Sequence, residues 1–335
     1  MKETLERLIG GTHLAEDEAS DLLLGLTDGA VAPAMAGAVL AALRAKGETA
    51  DEVRGFSTAM RGLARRPVLA NHRKPVDVVG TGGDGSHSLN LSTGAALLAA
   101  ACGVPVVKHG NRSVSSRCGS ADVLEALGVP MQLDEVAAGG CYERTGFTFL
   151  FAPYYHPAMA ALAPVRRALG VRTVFNLLGP LTNPASPPFG VFGAFSTRAA
   201  ELLADALAGL PIERAFVVHG ACGWDEATPV GAFLLLDVRP GRVTRTVRDP
   251  GDLGIPRCGP GDLAGADAAE NARRLEAVFD GERGPHRDAL VLGAALALEV
   301  TGEAGAADGV ARAAQALDSG AGKRLLGSLR EVSHA

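Results

Sequence analysis

Apolar residues recur at three- and four-residue intervals through the first part of the chain: Leu5 and Leu8, then Ala19, Leu22, Leu23 and Leu26, then a run over 34–43. That period is the α-helical one, and no β-type run interrupts it, so residues 4–65 predict a compact helical unit. Pro33 suits the first position of a helix and Gly47 its end, while Arg44 and Lys46 sit where the helix dipole favours positive charge. The unit closes near Arg73-Lys74-Pro75. Beyond it the texture changes. Short β-rich apolar runs at 76–79, 104–107, 147–151 and 215–218 each lead into a polar or glycine-rich turn, and helix-like stretches follow at 92–101, 121–127 and 157–169. Strands alternating with helices imply βαβ units, whose ligands bind at the strands' C-terminal ends. Residues 237–265 read as a looser β and loop excursion, and helical patterns return at 268–279 and 289–298. No internal repeat is visible. The predicted fold class is α/β, with a small all-helical N-terminal domain plus a large α/β domain built on a mainly parallel central sheet.

Composition narrows what such a fold does. At 335 residues, one large domain with a smaller one is the natural division. Apolar residues make up 47%, charged ones 21%, and mean hydropathy is +0.16, as in an ordinary globular protein with a substantial core. A formal charge of −5 argues against a nucleic-acid partner, which calls for a basic surface. Met1-Lys2-Glu3-Thr4 opens no secretory signal, and the longest uncharged apolar stretch, 94–107, is shorter than the roughly 20 residues that span a bilayer, so no membrane association is expected. Five cysteines without a C-x-x-C pair suit reduced thiols and a cytoplasmic location. Glycine is in surplus, 43 residues or about 13% against an average of roughly 7%. With no G-X-Y period, that surplus serves backbone geometry.

The glycines concentrate where a ligand would bind. Gly80-Thr81-Gly82-Gly83-Asp84-Gly85 follows the first strand, and Ser86-His87-Ser88-Leu89-Asn90-Leu91-Ser92-Thr93 leads into the next helix. Bare backbone lets N–H groups converge on an anion, and Asn90, Ser92 and Thr93 fall at a helix start, which favours phosphate. A tight turn plus a helix cap explains this loop equally well when it is taken alone, and the pattern is neither a P-loop nor G-x-G-x-x-G. The second strand end carries Lys108, His109, Asn111 and Arg112, then Ser113, Ser115, Ser116, Arg117, Gly119 and Ser120, a mixture that suits a second phosphate or a solvated loop. Asp225-Glu226 follows the strand near 215–218; such a pair is ordinarily a solvated feature, but at a strand end facing anion loops it suits magnesium. Arg166 and Arg167, on a helix stopped by Gly170, point about 100° apart, so one of them at most faces a site.

In order and spacing, several stretches resemble the anthranilate phosphoribosyltransferase family: Gly80-Thr81-Gly82-Gly83-Asp84, Asn90-Leu91-Ser92-Thr93, Lys108-His109-Gly110-Asn111-Arg112 and Gly119-Ser120-Ala121-Asp122. Ala163-Pro164-Val165-Arg166-Arg167, the segment Phe175-Asn176-Leu177-Leu178-Gly179-Pro180-Leu181-Thr182-Asn183-Pro184, and Asp225-Glu226 complete the set, which covers nearly the whole chain. The resemblance implies transfer of phosphoribose from phosphoribosyl pyrophosphate (PRPP) to the amine of anthranilate, an early step of tryptophan synthesis. It implies a helical domain of residues 1–73 that also receives about 165–184, a large domain of 74–164 and 185–335, and a homodimer formed through the helical part. PRPP would meet Gly80, Thr81, Gly82, Gly83, Asp84, Ser88, Asn90, Ser92, Thr93, Lys108 and Ser120, with Lys108 and Ser120 at the 5′-phosphate and Asn111 assisting. Anthranilate would meet Gly80, His109, Asn111, Arg166 and Pro180, with the arginine opposite its carboxylate. Ser92, Asp225 and Glu226 would order two magnesium ions.

No residue in these loops pairs a covalent nucleophile with a base, which fits a dissociative displacement. The chain departs from the family's usual pattern at Ala221-Cys222-Gly223-Trp224, where acidic, glycine and leucine residues are commoner. Three alternatives stand beside this reading: the same chemistry on another aromatic amine, a pyrimidine nucleoside phosphorylase, and a homologue that binds a nucleotide without turning it over. The 176–184 segment and Asp225-Glu226 speak against the second; the acidic pair, Arg166 and the net acidity speak against the third.

Overall fold

A computed structural model describes residues 1–69, 73–113 and 117–332. Four helices come first: α1 (Lys2–Ile9), α2 (Glu16–Thr27), α3 (Pro33–Lys46) and α4 (Ala50–Leu63). Pro33 opens α3, and Gly47 ends it at φ +87°, a conformation that a side chain would strain. Thr49 and Glu52 form a reciprocal cap on α4, and the same Glu52 carboxylate, wholly buried, also takes the Leu14 N–H at 2.8 Å and the Lys46 ammonium at 2.9 Å. Leu8, Leu22, Leu23, Leu26, Val39, Leu40, Leu43, Val53 and Phe56 fill the space between the helices. Each buried side chain of this size contributes about 1.5–3 kcal/mol relative to exposure.

The sheet has seven strands: β1 (Val76–Gly80), β2 (Val106–Gly110), β3 (Phe147–Phe151), β4 (Phe189–Gly193), β5 (Arg214–His219), β6 (Phe233–Arg239) and β7 (Arg242–Arg248), in the order β3-β2-β1-β4-β5-β6-β7. The first five are parallel, and β6 and β7 add an antiparallel edge hairpin in the stretch read from sequence as a looser excursion. Val191, Phe216, Val218, Phe233 and Leu235 face one core, shared with the helices Leu91–Ala101 (α5), Ala268–Phe279 and Pro285–Val300. Their neighbours Phe192, Val217, Leu234 and Leu236 face the opposite core, shared with α1–α4, the helix Thr197–Ala208 and the segment carrying Leu162, Val165, Val174, Phe175, Leu177, Leu178 and Leu181. This alternation is the period of two that a sheet imposes.

Three local expectations shift. The strand expected at 104–107 is β2 at Val106–Gly110, its start set back by Pro105, which has no N–H to pair. The helix expected over 157–169 is a 3₁₀ turn Pro157–Ala161 and a separate helix Ala163–Leu169, with Pro164 in the latter's first turn and Gly170 at φ +61° stopping it. The helices Ala306–Asp318 and Ala321–Val332 extend the C-terminal pattern further than read. Ser115, Ser116 and residues 333–335 lie outside the described residues.

Candidate active site

Strand order places the site. The chain runs outward from β1 to β2 and β3, then returns to the other side of β1 as β4, so the C-terminal ends of β1 and β4 border the crevice where such sheets bind ligands. Gly80 ends β1 and Gly193 ends β4, and the two are register partners. Both are bare because Asp225 passes directly over them. A Cβ on Gly80 would lie 2.2 Å from Asp225 Oδ2, and one on Gly193 would lie 1.5 Å from the Asp225 carbonyl oxygen. Glycine here permits a close backbone approach.

The loop after β1 wraps this carboxylate. Gly82 N–H donates to Asp225 Oδ2 at 2.6 Å, and Asp225 N–H donates to Asp84 Oδ2 at 3.2 Å. Asp84 Oδ1 accepts from Ser86 N–H and Oγ, whereas Thr81 Oγ1 turns towards β4 and accepts from Phe195 N–H at 3.2 Å. Glu226 takes the Ser92 N–H at 2.9 Å at the start of α5, and its Oε2 is buried with no hydrogen-bond partner among the described residues. Burial pushes both Asp225 and Glu226 well above the usual carboxylate range, with repulsion from Asp84 added at Asp225 and from Asp225 at Glu226. Lys108, buried within β2, donates to Val78 O at 2.5 Å. Burial lowers its pKa, and Asp77, Glu226 and Asp225 oppose that shift.

Two desolvated carboxylates, one with an orphaned oxygen, beside a serine and a glycine-rich loop are a donor set for a hard, oxygen-preferring cation. Among the described residues no three His, Cys, Asp or Glu side chains converge tightly enough to hold a metal by themselves. The set fits a magnesium ion that Asp225, Glu226 and Ser92 would hold only in part, with an oxygen-rich ligand needed to complete the site.

Next to this cluster lies a second group of residues. His109 is buried at the end of β2; its N–H points to Asp77 Oδ1 at 3.4 Å and its Nδ1 lies 3.4 Å from the Gly179 carbonyl oxygen, one residue before Pro180. Burial and the His156 ring, edge-on at 5.1 Å between centroids, push His109 down to about 3, so the imidazole is neutral at working pH. Both rings have Nε2 buried without a hydrogen-bond partner among the described residues. Asn111 is exposed, its main-chain oxygen taking the Ser120 hydroxyl at 3.2 Å. Arg166 is solvent-exposed and lies over the Phe175 ring at 4.9 Å. Thr93 is buried one residue into α5 from Ser92, and Ser88 is tied to Ala264 by an isolated β-bridge. Arg112, by contrast, is bound up with Asp122 at 2.9 Å and Glu125 at 2.7 Å.

Residues without an assigned role in the sequence reading complete the frame. Asp77, wholly buried, accepts from Asn183 Nδ2 at 2.9 Å; the same amide donates to Val107 O at 2.8 Å, pinning the 179–184 turn to β1 and β2. Arg172 reaches the Gly83 carbonyl and stacks on Phe195 at 4.1 Å, so the segment between Arg166 and Pro180 also touches the glycine-rich loop. No local pattern signals these pairs, because their partners lie far apart in sequence.

Comparison with known proteins agrees with this architecture. The helical bundle domain of a glycosyl transferase family matches residues 2–64, and that family's a/b domain matches residues 72–323. An anthranilate phosphoribosyltransferase of Desulforudis audaxviator is 49% identical over 99% of this chain and 96% of its own length, and one from Anaeromyxobacter sp. (strain K) is 47% identical over 98% and 97%. The crystal structure of the Thermus thermophilus anthranilate phosphoribosyltransferase superposes with a TM-score of 0.93 at 42% identity, covering 99% of both chains. That of the Saccharomyces cerevisiae enzyme in complex with PRPP and Mg gives 0.89 at 26% identity, over 99% and 98%. Identity approaching one half over the full length, with the same helical and α/β parts in the same order, makes this chain a member of the anthranilate phosphoribosyltransferase family.

Proposed function

We propose that the chain transfers phosphoribose from PRPP to the amine of anthranilate, giving N-(5-phosphoribosyl)anthranilate and pyrophosphate for tryptophan synthesis. The observation that carries the reading is the convergence of the Gly80–Asp84 loop, the Ser92 helix start and Lys108 on buried Asp225 and half-buried Glu226. Gly80, Thr81, Gly82, Gly83 and Asp84, with Ser88, Asn90, Ser92 and Thr93, would cradle pyrophosphate and ribose, while Lys108 and Ser120 would hold the 5′-phosphate. Asp225, Glu226 and Ser92 would hold two magnesium ions. Magnesium, when bound, supplies positive charge that neutralises the departing pyrophosphate.

The protein's own part is positioning and electrostatics. Thr81 and Gly82 N–H are engaged by Gly193 O and Asp225, so the N–H groups further along the glycine-rich loop would face the leaving group as the bond from the ribose carbon to pyrophosphate loosens and that carbon gains positive character before the arylamine attacks. Neutral His109 borders the acceptor: with Nδ1–H directed at Gly179 O, its Nε2 offers a lone pair and adds no positive charge beside the forming cation. Gly80, Asn111 and Pro180 would line the same acceptor, and Arg166 would face its carboxylate. An aromatic amine is weakly basic, so loss of its proton demands no strong base.

The packed segment around Val165 and Phe175 supports assigning about 165–184 to the helical domain with 1–73, leaving 74–164 and 185–335 to the α/β domain. A groove of small residues, Pro33, Gly37 and Ala41 against Val165 and Leu169, supports a homodimer through this part. The free thiols of Cys102, Cys141, Cys222 and Cys258 suit the cytoplasm.

The test mixes protein, PRPP and magnesium and follows the loss of anthranilate fluorescence. Asp225→Asn with Glu226→Gln is expected to depress turnover and to flatten the magnesium dependence; an unchanged magnesium titration would sink the assignment of that pair. Arg166→Ala is expected to raise KM for anthranilate while leaving KM for PRPP in place. Turnover with another arylamine but not anthranilate would keep the chemistry and change the acceptor.

A further inference from the structure

The chain beyond the β6–β7 hairpin returns to the donor side of the site. Leu89 N–H donates to Leu263 O at 2.9 Å and Gly265 N–H to His87 O at 2.8 Å, beside the Ser88–Ala264 bridge. Gly265 approaches so closely that a Cβ there would lie 2.5 Å from Ser88 O. Behind this contact sits Asn271, 1% exposed, on the helix Ala268–Phe279. Its Oδ1 accepts from Ala266 N–H at 2.7 Å and its Nδ2 donates to Asn90 Oδ1 at 3.0 Å. Asn90 Nδ2 in turn donates to Cys118 O at 3.1 Å, in the loop that precedes Ser120. The Asn271 amide also lies against the Cys118 thiol.

This chain of bonds has a direction. A side-chain amide presents an oxygen on one side and two N–H donors on the other. Asn271 occupies the Asn90 oxygen, and Cys118 O requires the Asn90 nitrogen, so the opposite rotamer would set oxygen against oxygen at Cys118 and hydrogen against hydrogen at Asn271. Among the described residues no acceptor takes the second Asn90 N–H. We propose that Asn271 is a positioning residue for PRPP binding: it fixes the Asn90 amide so that a donor, and not an oxygen, is available to the phosphoribosyl ligand. A polyanion rewards that orientation and penalises the reverse. The inference rests on Asn90 belonging to the PRPP site.

A double-mutant cycle separates this role from simple support of the 264–267 turn. The Kd for PRPP is measured by calorimetric titration with magnesium present, for wild type, Asn90→Ala, Asn271→Ala and the double variant. Asn90→Ala is expected to weaken PRPP binding on the order of tenfold to a hundredfold, the range for a hydrogen bond to a charged partner. Asn271→Ala is expected to weaken it about five- to tenfold, with KM for anthranilate unchanged, and to add nothing in the Asn90→Ala background. Effects that multiply in the double variant would overturn the inference, because Asn271 would then act without Asn90. An unchanged Kd for Asn271→Ala, with Asn90→Ala still weakened, would overturn it and leave the PRPP site standing. An unchanged Kd for Asn90→Ala would remove both. Should Asn271→Ala fail to fold, Asn271→Ser, which keeps a polar group under Ala266, takes its place in the cycle.

Discussion

Gly193→Ala isolates the feature on which the site geometry depends, the passage of Asp225 across the end of β4. A Cβ at this position would lie 1.5 Å from the Asp225 carbonyl oxygen, 2.6 Å from its carbonyl carbon and 3.3 Å from Gly80 Cα. To restore ordinary van der Waals contact, the Asp225 backbone has to withdraw by about 2 Å. The carboxylate moves with it, and the Gly82 N–H bond, now 2.6 Å, leaves hydrogen-bonding range. A bond of that kind to a charged acceptor is worth about 1.5–3 kcal/mol, and the overpacking itself costs about 1–3 kcal/mol of stability. A displacement of this size at a positioned group lowers rate on the order of a hundredfold. The fluorescence assay should therefore show kcat/KM down about a hundredfold and magnesium half-saturation raised about tenfold or more. Thermal unfolding should show a melting temperature lowered by about 5–24 °C, since the two costs together reach about 2.5–6 kcal/mol and roughly 2–4 °C accompanies each kcal/mol in large domains. A folded Gly193→Ala variant with wild-type turnover and magnesium saturation would refute the reasoning, because Asp225 would then not need its present path.

Other perturbations read separate parts of the structure. Asp77 is pushed up to about 6 by burial against an ordinary 3.8, so between about pH 4 and 6 the folded state keeps a proton that the unfolded chain has released, and its contribution to stability falls as pH rises. Relative to Asp77→Asn, wild type should lose about 3 kcal/mol across that window in urea titrations, and a pH-independent difference would contradict the buried-carboxyl account. Arg172→Ala removes the contact to Gly83 O and the stacking on Phe195; KM for PRPP should rise about three- to tenfold, and an unaltered KM would mean that the exposed guanidinium does not order the loop. Gly62 lies inside α4 with nothing within 4 Å of an added Cβ, so Gly62→Ala should stabilise by about 0.5–1 kcal/mol with unchanged kinetics, and a lowered melting temperature would count against that geometry.

The helical unit and the first two strand-end loops were legible because their signals are local: a 3.6-residue period closed by Pro33 and Gly47, and glycines gathered after apolar runs. β4 was not, and the reason is the site itself. Its sequence, Phe-Gly-Val-Phe-Gly, carries two residues disfavoured in strands, yet Gly190 must clear the Phe192 ring and Gly193 must clear Asp225. Of the two glycines that hide the strand from propensity, Gly193 is the one that lets Asp225 reach β1. Asp225-Glu226 likewise reads as a surface pair until the sheet brings Gly80, Gly82 and Ser92 around it. Asn183 and Asn271 bond residues 106 and 181 positions away, separations that no periodicity reports.

The electrostatics explain how an acidic protein of net charge −5 can hold a polyanion. Asp77, Asp225 and Glu226 surround Lys108, the one buried ammonium of the site among the described residues, and Asp84 stands beside Asp225, so side chains alone offer phosphate little positive charge here. Attraction then depends on two devices that leave formal charge untouched until a ligand arrives. Backbone N–H groups in the glycine-rich loop supply partial positive charge without cationic side chains. The two desolvated carboxylates bear an unfavourable burial that a divalent cation would relieve, and a cation held there would in turn favour an anionic ligand. On that assignment metal and PRPP would each improve the site for the other, and linkage would make the improvement equal in both directions. A pocket lined with lysines would bind phosphate unaided but would also hold on to pyrophosphate after the reaction; a positive charge carried by a dissociable ion would let the product go.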